Sequence, residues 1–267
     1  MGRIADTFRN RDLPAFIGFT VAGDPDKETC IRAARALIDG GTDILELGIP
    51  FSDPVADGPT IQKADERALA AGTTPDTVFA IVRELRKGTN VPIVFLTYYN
   101  IVYRSGIRRF YREAHEAGVD GILIADMPYE ESDEVTQAAT EFGIDPIMLI
   151  TQTTTDDRIK KIASRAQGYL YLVAVLGVTG ARATISDEAI VLLRRVRKHT
   201  DLPLALGFGI SVPDHAKTCA HQGADGIIVG SAIVDIVGSM REDPAGMECA
   251  LREYVSGMKD AMSSKKK

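Results

Sequence analysis

Cysteine, histidine and excess positive charge are what this 267-residue chain has little of, and each shortage removes a class of protein. Its three cysteines, Cys30, Cys219 and Cys249, lie far apart without a Cys-x-x-Cys pair. That excludes a disulfide framework or zinc ribbon and fits a reducing compartment. The four histidines, His115, His199, His215 and His221, fall in helical stretches or at their ends, so no cluster is expected to hold a catalytic metal. With 31 Lys and Arg against 37 Asp and Glu, the formal net charge is -6. This is the wrong sign for neutralising phosphates along a nucleic acid, and no nucleic-acid partner is expected. The apolar runs, such as 226–234, fall short of the ~18 residues of a membrane span, so no membrane partner is expected either. The start, Met1-Gly2-Arg3-Ile4-Ala5-Asp6, lacks an apolar signal stretch, and Asp6 stands where a myristoylation motif wants Ser or Thr. The expected location is the cytoplasm.

What is present is a large core and a repeated grammar. Hydrophobic residues make up 45% of the chain and charged ones 25%, ample for a packed interior. Four junctions, Gly41-Thr42-Asp43-Ile44, Gly118-Val119-Asp120-Gly121, Gly143-Ile144-Asp145-Pro146 and Gly223-Ala224-Asp225-Gly226, each follow a helical stretch and open an apolar run. The glycine accepts the left-handed conformation that ends a helix, and the apolar residues enter a strand covered on both faces. A second echo, 83–92 against 194–203, repeats at an offset of 111 residues. Strands are expected at 15–20, 44–48, 92–97, 121–125, 146–150, 169–173, 204–207 and 226–230, with helical patterns between them. Eight alternating units with a half-chain echo predict an α/β fold, a (β/α)8 TIM barrel in one domain spanning 1–267. An extra N-terminal helix over 4–10 should plug one end, and residues 263–267 should fray.

In such a barrel the chemistry sits at the C-terminal strand ends. No lysine falls on a predicted strand, which disfavours Schiff-base chemistry. The carboxylates remain. Glu46 stands inside the apolar strand Ile44-Leu45-Glu46-Leu47-Gly48, where burial should drive its pKa toward ~6 to 7, suited to proton transfer. The alternative is a strand-end glutamate bonded to a backbone amide. Beyond it runs a stiff segment, 48–62, with three prolines; its Asp57 is either an anion placed over the mouth or the centre of an Asx turn. Gly207-Phe208-Gly209-Ile210-Ser211 and Gly230-Ser231 close the seventh and eighth strands. Glycines there expose amides, and a short helix from Ser231 would aim its N-terminus at a phosphate. The Gly207 motif lacks the third glycine of a dinucleotide fingerprint. The long stretch 174–186 reads as a lid hinged at Gly177 and Gly180 or as a passive loop. Phe19, Tyr98, Tyr171 and Phe208 would line an apolar pocket or simply pack the core.

The run from Leu45 through Gln62, with 19–25, Gly177-Val178-Thr179-Gly180, 207–211 and 230–234, closely resembles the tryptophan synthase alpha family over effectively the whole chain. The resemblance implies a lyase that cleaves indole-3-glycerol phosphate to indole and glyceraldehyde 3-phosphate by a retro-aldol reaction without a cofactor. It makes Glu46 the acid-base residue and Asp57 the partner of the indole N–H. It further gives Gly180, Gly209, Gly230 and Ser231 to the phosphate, Phe19, Tyr98, Tyr171, Phe208 and Ile228 to the indole and its side chain, and Thr179 to lid closure over Asp57. It implies a beta subunit that converts indole with its own pyridoxal phosphate, in an assembly of two alpha and two beta chains. Two departures stand out: Ala174-Val175-Leu176 replaces a common Ser-Arg, and 151–154 lacks a frequent Ala-Pro. The competing functions are another phosphate-binding barrel, such as a sugar-phosphate isomerase or prenyl transferase, and a catalytically silent allosteric partner subunit.

Overall fold

The structure, a computed structural model, describes residues 2–9, 11–173, 187–207 and 209–263. Strands β1 (Ala15–Val21), β2 (Ile44–Gly48), β3 (Ile93–Thr97), β4 (Gly121–Ile124), β5 (Asp145–Thr151), β6 (Leu170–Val173), β7 (Leu204–Gly207) and β8 (Gly226–Val229) close in sequence order into a barrel. Every pairing is parallel, including β1 with β8. The helices are α1 (Arg3–Phe8), α2 (Lys27–Asp39), α3 (Pro59–Ala70), α4 (Pro75–Arg86), α5 (Tyr99–Ser105), α6 (Ile107–Ala117), α7 (Asp133–Phe142), α8 (Asp156–Arg165), α9 (Asp187–Arg197), α10 (Pro213–His221), α11 (Ser231–Ser239) and α12 (Pro244–Ser263). None of the described helices is long and apolar enough to cross a membrane.

The expected strands are all present, with ends displaced by about one residue for local reasons. Pro92 has no N–H to give the ladder, so β3 begins at Ile93. Gly230 leaves β8 to become the cap of α11. The N-terminal helix covers Arg3–Phe8 rather than 4–10, because Arg9 is already extended; Asn10 lies outside the described residues. Ser263 is the last residue of α12, and 264–267 lie outside the described residues.

Outward-facing strand residues pack against the helices, whereas Ile17, Ile44, Val94, Leu123, Ile147, Tyr169, Tyr171, Ala205 and Ile228 fill the barrel. Ile4 from α1 is fully buried in that interior group, and Phe8 lies against Tyr169 with ring centroids 5.8 Å apart. The helix plugs the N-terminal end as expected. Among the junction glycines, Gly41, Gly118, Gly143 and Gly223 all have positive φ, from 67° to 104°, the conformation that a side chain resists.

The aspartates of these junctions fasten the floor. Asp43, Asp120 and Asp225 each accept, at 2.8 Å, the backbone N–H of Phe16, Ile93 and Leu204 on the preceding strand. The 111-residue echo has the same physical content in both copies. Arg86 donates to the Val91 carbonyl and pairs with Asp120, while Arg197 donates to the Leu202 carbonyl and pairs with Asp225. Thr89 and Thr200 each take the N–H two residues on, both at 3.1 Å. Asp145 breaks the pattern: burial, helped by the Asp120 charge, pushes its carboxyl up to about 6.

Candidate active site

Strand alternation sends Ile44, Glu46 and Gly48 inward, and the parallel register sets Glu46 beside Phe19 of β1 and Val94 of β3. Glu46 is therefore enclosed above the apolar floor and is fully buried. Its Oε1 accepts the Tyr169 hydroxyl at 3.3 Å, and Oε2 has no hydrogen-bond partner among the described residues. Burial drives its pKa up to about 8, with the Asp57 charge adding and the Tyr169 hydrogen bond opposing. The shift passes the expected ~6 to 7 because the enclosure is complete, and the cost of desolvating the charge outweighs the Tyr169 hydrogen bond that lowers it. The partner is a tyrosine hydroxyl, which replaces the backbone amide of the alternative reading.

Asp57 hangs over this carboxyl from the segment between β2 and α3. Its Oδ2 accepts the Tyr98 hydroxyl at 2.6 Å, and the same Tyr98 oxygen accepts the Ala56 N–H at 3.1 Å. Gln62 Nε2 donates to the Asp57 carbonyl at 2.8 Å. The carboxylate is thus held across the mouth by a residue 41 positions away, not folded onto its own backbone. Burial raises its pKa while the Tyr98 hydrogen bond pulls it down. Tyr98, just beyond β3, is itself buried and stacks on Phe51 with centroids 5.0 Å apart.

The other expected residues distribute around these two. Phe19 packs with Val21, Ile61, Ala64, Ala68 and Val234, so it walls the β1 side between α3 and α11. Tyr171 and Ile228 point into the barrel from β6 and β8. Gly209 has φ of 74°, Gly230 caps α11, and Ser231 opens it as an exposed residue. The first-turn N–H groups of a helix have no intrahelical acceptors, so this end suits an anion. Thr179, Gly180 and Phe208, together with the expected lid, lie outside the described residues. At 151–154 the chain forms a threonine turn in which Thr151 N–H donates to Thr154 Oγ1 at 3.1 Å, and Arg195 donates to the Thr154 carbonyl at 2.6 Å.

Gly207 has a steric role beyond exposing an amide. A Cβ built there would sit 2.4 Å from Tyr171 Cε1 and 2.5 Å from its hydroxyl oxygen. Gly207→Ala should displace this ring from the interior wall and lower stability by about 1–3 kcal/mol, read as a reduced denaturation midpoint. An unchanged midpoint would mean that the ring moves without cost.

Two further residues belong to the site's surroundings. The sequence places Tyr169 in an ordinary apolar strand, yet the period of two that turns Tyr171 inward also turns Tyr169 inward. Asp65 is 4% exposed on α3, amid the buried stripe Ile61, Ala64 and Ala68. A carboxylate in an apolar helical stripe carries the same signal as Glu46 in its strand.

Comparison with known proteins covers almost the entire chain. The family model described as tryptophan synthase alpha chain matches residues 6–263. The tryptophan synthase alpha chain of Methanoregula boonei is 69% identical over 261 residues, covering 98% of both chains. The solved tryptophan synthase subunit alpha from Legionella pneumophila superposes with a TM-score of 0.89 at 35% identity, covering 98% of each chain. A chain of the tryptophan synthase α2β2 complex from Pyrococcus furiosus gives 0.87 at 41% identity, covering 92% of this chain and 98% of that one. With a whole-length family match and a relative this similar, the chain belongs to the tryptophan synthase alpha chain family.

Proposed function

We propose that this chain cleaves indole-3-glycerol phosphate to indole and glyceraldehyde 3-phosphate, with Glu46 as the proton shuttle and Asp57 as the counter-anion. Family membership supports the reaction. The observation that carries the residue assignment is the Glu46 carboxyl, enclosed at the strand end with its pKa at about 8 and Asp57 close enough to affect it. Paired carboxyls driven to different protonation states divide the work of an acid and an anion. Glu46, wholly enclosed, rests protonated at neutral pH, whereas Asp57 is less enclosed and keeps the Tyr98 hydroxyl as a donor to its charge.

The steps follow from that division. Protonated Glu46 gives its proton to indole C3, which places positive charge on the ring nitrogen, and the Asp57 carboxylate stabilises that charge through the N–H. The Glu46 carboxylate then takes the proton of the adjacent glycerol hydroxyl. The oxygen lone pair forms the aldehyde, the carbon-carbon bond breaks, and its electrons restore the neutral indole. Glu46 ends protonated, ready for the next turnover. Phe19, Tyr98, Tyr171, Phe208 and Ile228 enclose the ring and side chain in this reading. Gly180, Gly209, Gly230 and Ser231 hold the phosphate, and Thr179 helps to close the mouth over Asp57.

The products suit a division of labour with a beta subunit that consumes indole, in an α2β2 assembly like that of the Pyrococcus furiosus relative. The activity belongs in the cytoplasm, where Cys30, Cys219 and Cys249, all free thiols, remain reduced.

A pH–rate profile tests the assignment. Because the protonated form begins the reaction, kcat should be sustained at neutral pH and fall as pH rises through about 8, the point at which Glu46 ionises. A profile still rising at pH 9, with the protein folded, would contradict it.

A further inference from the structure

We propose that the layer between the barrel and its helices holds a binding site for a small neutral aromatic molecule, in a cavity under α7 and apart from the active site. The inference depends on none of the catalytic assignments above. The cavity has a volume of about 210 Å³, whereas packed interiors leave few voids larger than a water. Its origin lies in the sequence. Val135, Ala138 and Ala139 are the buried residues of α7, and such short side chains leave space over Ile122, Ile124 and Met148 on the outward faces of β4 and β5. Ile124 and Met148 are only half-buried as a result. The rim on one side is fixed by Arg165, which donates to the Tyr129 carbonyl at 3.0 Å and to Ser132 Oγ at 2.7 Å and lies 4.2 Å above the Tyr129 ring. A wall already held in place loses little freedom when a ligand enters.

The lining states the chemistry of the occupant. No Asp, Glu, Lys or Arg side chain is among the described residues around the cavity, so a charged molecule would lose its hydration without compensation. One polar atom stands ready. Tyr111 of α6 lines the cavity and is 2% exposed, and its hydroxyl has no hydrogen-bond partner among the described residues. The other hydroxyls of the wall are engaged: Ser132 donates to the Tyr129 carbonyl at 2.8 Å, Thr136 to the Ser132 carbonyl at 2.7 Å, and Thr151 shares a hydrogen bond with Thr153 at 2.9 Å. An enclosed hydroxyl left alone is unfavourable, and a ligand with one donor or acceptor would satisfy it. Met127 and Met148 add thioether sulfurs to the wall, which make favourable contacts with aromatic rings. A void of about 150 Å³ already admits benzene. A phenol or an indole meets all these conditions, with a flat apolar body, no charge and one hydrogen-bonding group.

The test titrates 4-fluorophenol and fluorobenzene into the full chain and follows both by fluorine NMR. The phenol should bind with a Kd of about 0.1 to 1 mM, within reach of so small a molecule. Tyr111→Phe keeps the ring and removes the hydroxyl, so it should weaken 4-fluorophenol by about 3- to 10-fold, one hydrogen bond's worth, and leave fluorobenzene within about twofold. Val135→Phe sets a ring in the cavity itself and should weaken both ligands by more than about tenfold. Turnover in either variant should stay within about twofold of the parent, since neither residue lies at the barrel mouth. Should Val135→Phe fail to fold, the contrast between the two ligands in Tyr111→Phe decides alone. Failure of 4-fluorophenol to bind would overturn the inference, as would equal weakening of the two ligands by Tyr111→Phe. Affinities untouched by either substitution would place the ligands elsewhere, at the barrel mouth for example, and would overturn it as well.

Discussion

Glu46→Gln is expected to lower turnover by about 10²- to 10⁴-fold, the usual worth of a general acid-base group, and at the same time to make the protein more stable. The first effect follows because an amide cannot give a proton to indole C3 or accept one from the hydroxyl. The second follows from linkage. The Glu46 carboxyl titrates near its ordinary 4.5 in the unfolded chain and at about 8 in the folded one. Between those values the unfolded chain releases a proton that the folded chain retains, so the contribution to stability is intact below pH 4.5 and lost as pH climbs toward 8. Glutamine removes that loss. At pH 7.5 the variant should gain about 1–3 kcal/mol, and its advantage should shrink toward pH 4.5. Parallel thermal melts and kcat measurements check both halves. Retained turnover would remove Glu46 from the chemistry, and reduced stability at pH 7.5 would mean that the carboxyl is better solvated than its enclosure indicates.

Asp57→Asn is expected to cost about 10²- to 10³-fold in kcat, the scale seen when one electrostatic stabiliser is lost from a preorganised site, with KM changed much less. Asparagine can still accept the Tyr98 hydroxyl, so the segment that carries it should keep its place while the charge disappears. The charge matters only once C3 is protonated and the ring nitrogen becomes cationic, a pattern that depresses kcat and kcat/KM together. The substitution also takes away the repulsion that helps raise Glu46. The basic limb of the remaining activity should therefore move to lower pH, and a limb unmoved or moved upward would contradict the coupling of the two carboxyls.

How much of this site was legible in the sequence depended on whether a residue broke a local pattern. Glu46 interrupts an apolar strand, and the cost of burying a charge makes it visible in the sequence itself. The positive φ of the junction glycines and the enclosed strands that follow them were readable for a similar reason, because only one residue type tolerates that backbone. Tyr169 broke no pattern, since a tyrosine beginning an apolar strand is ordinary core, and only the barrel's closure brings its hydroxyl 123 positions back to Glu46. Asp65 does interrupt a stripe, but one bounded by Lys63, Glu66 and Arg67, whose charges disguise its inward direction. In the sequence Tyr98 reads as a pocket wall or as core; its hold on Asp57 depends on how the proline-rich segment folds back over β3, which no spacing encodes.

The two arginine brackets at the barrel floor say something about descent. Each draws its partners from its own half of the chain: Arg86 reaches Val91 and Asp120, and Arg197 reaches Leu202 and Asp225. Neither bracket takes a partner from the other half. Such self-sufficiency is the trace that tandem copying of a shorter ancestor would leave, with two inherited foundations kept alike while the superstructure above them diverged.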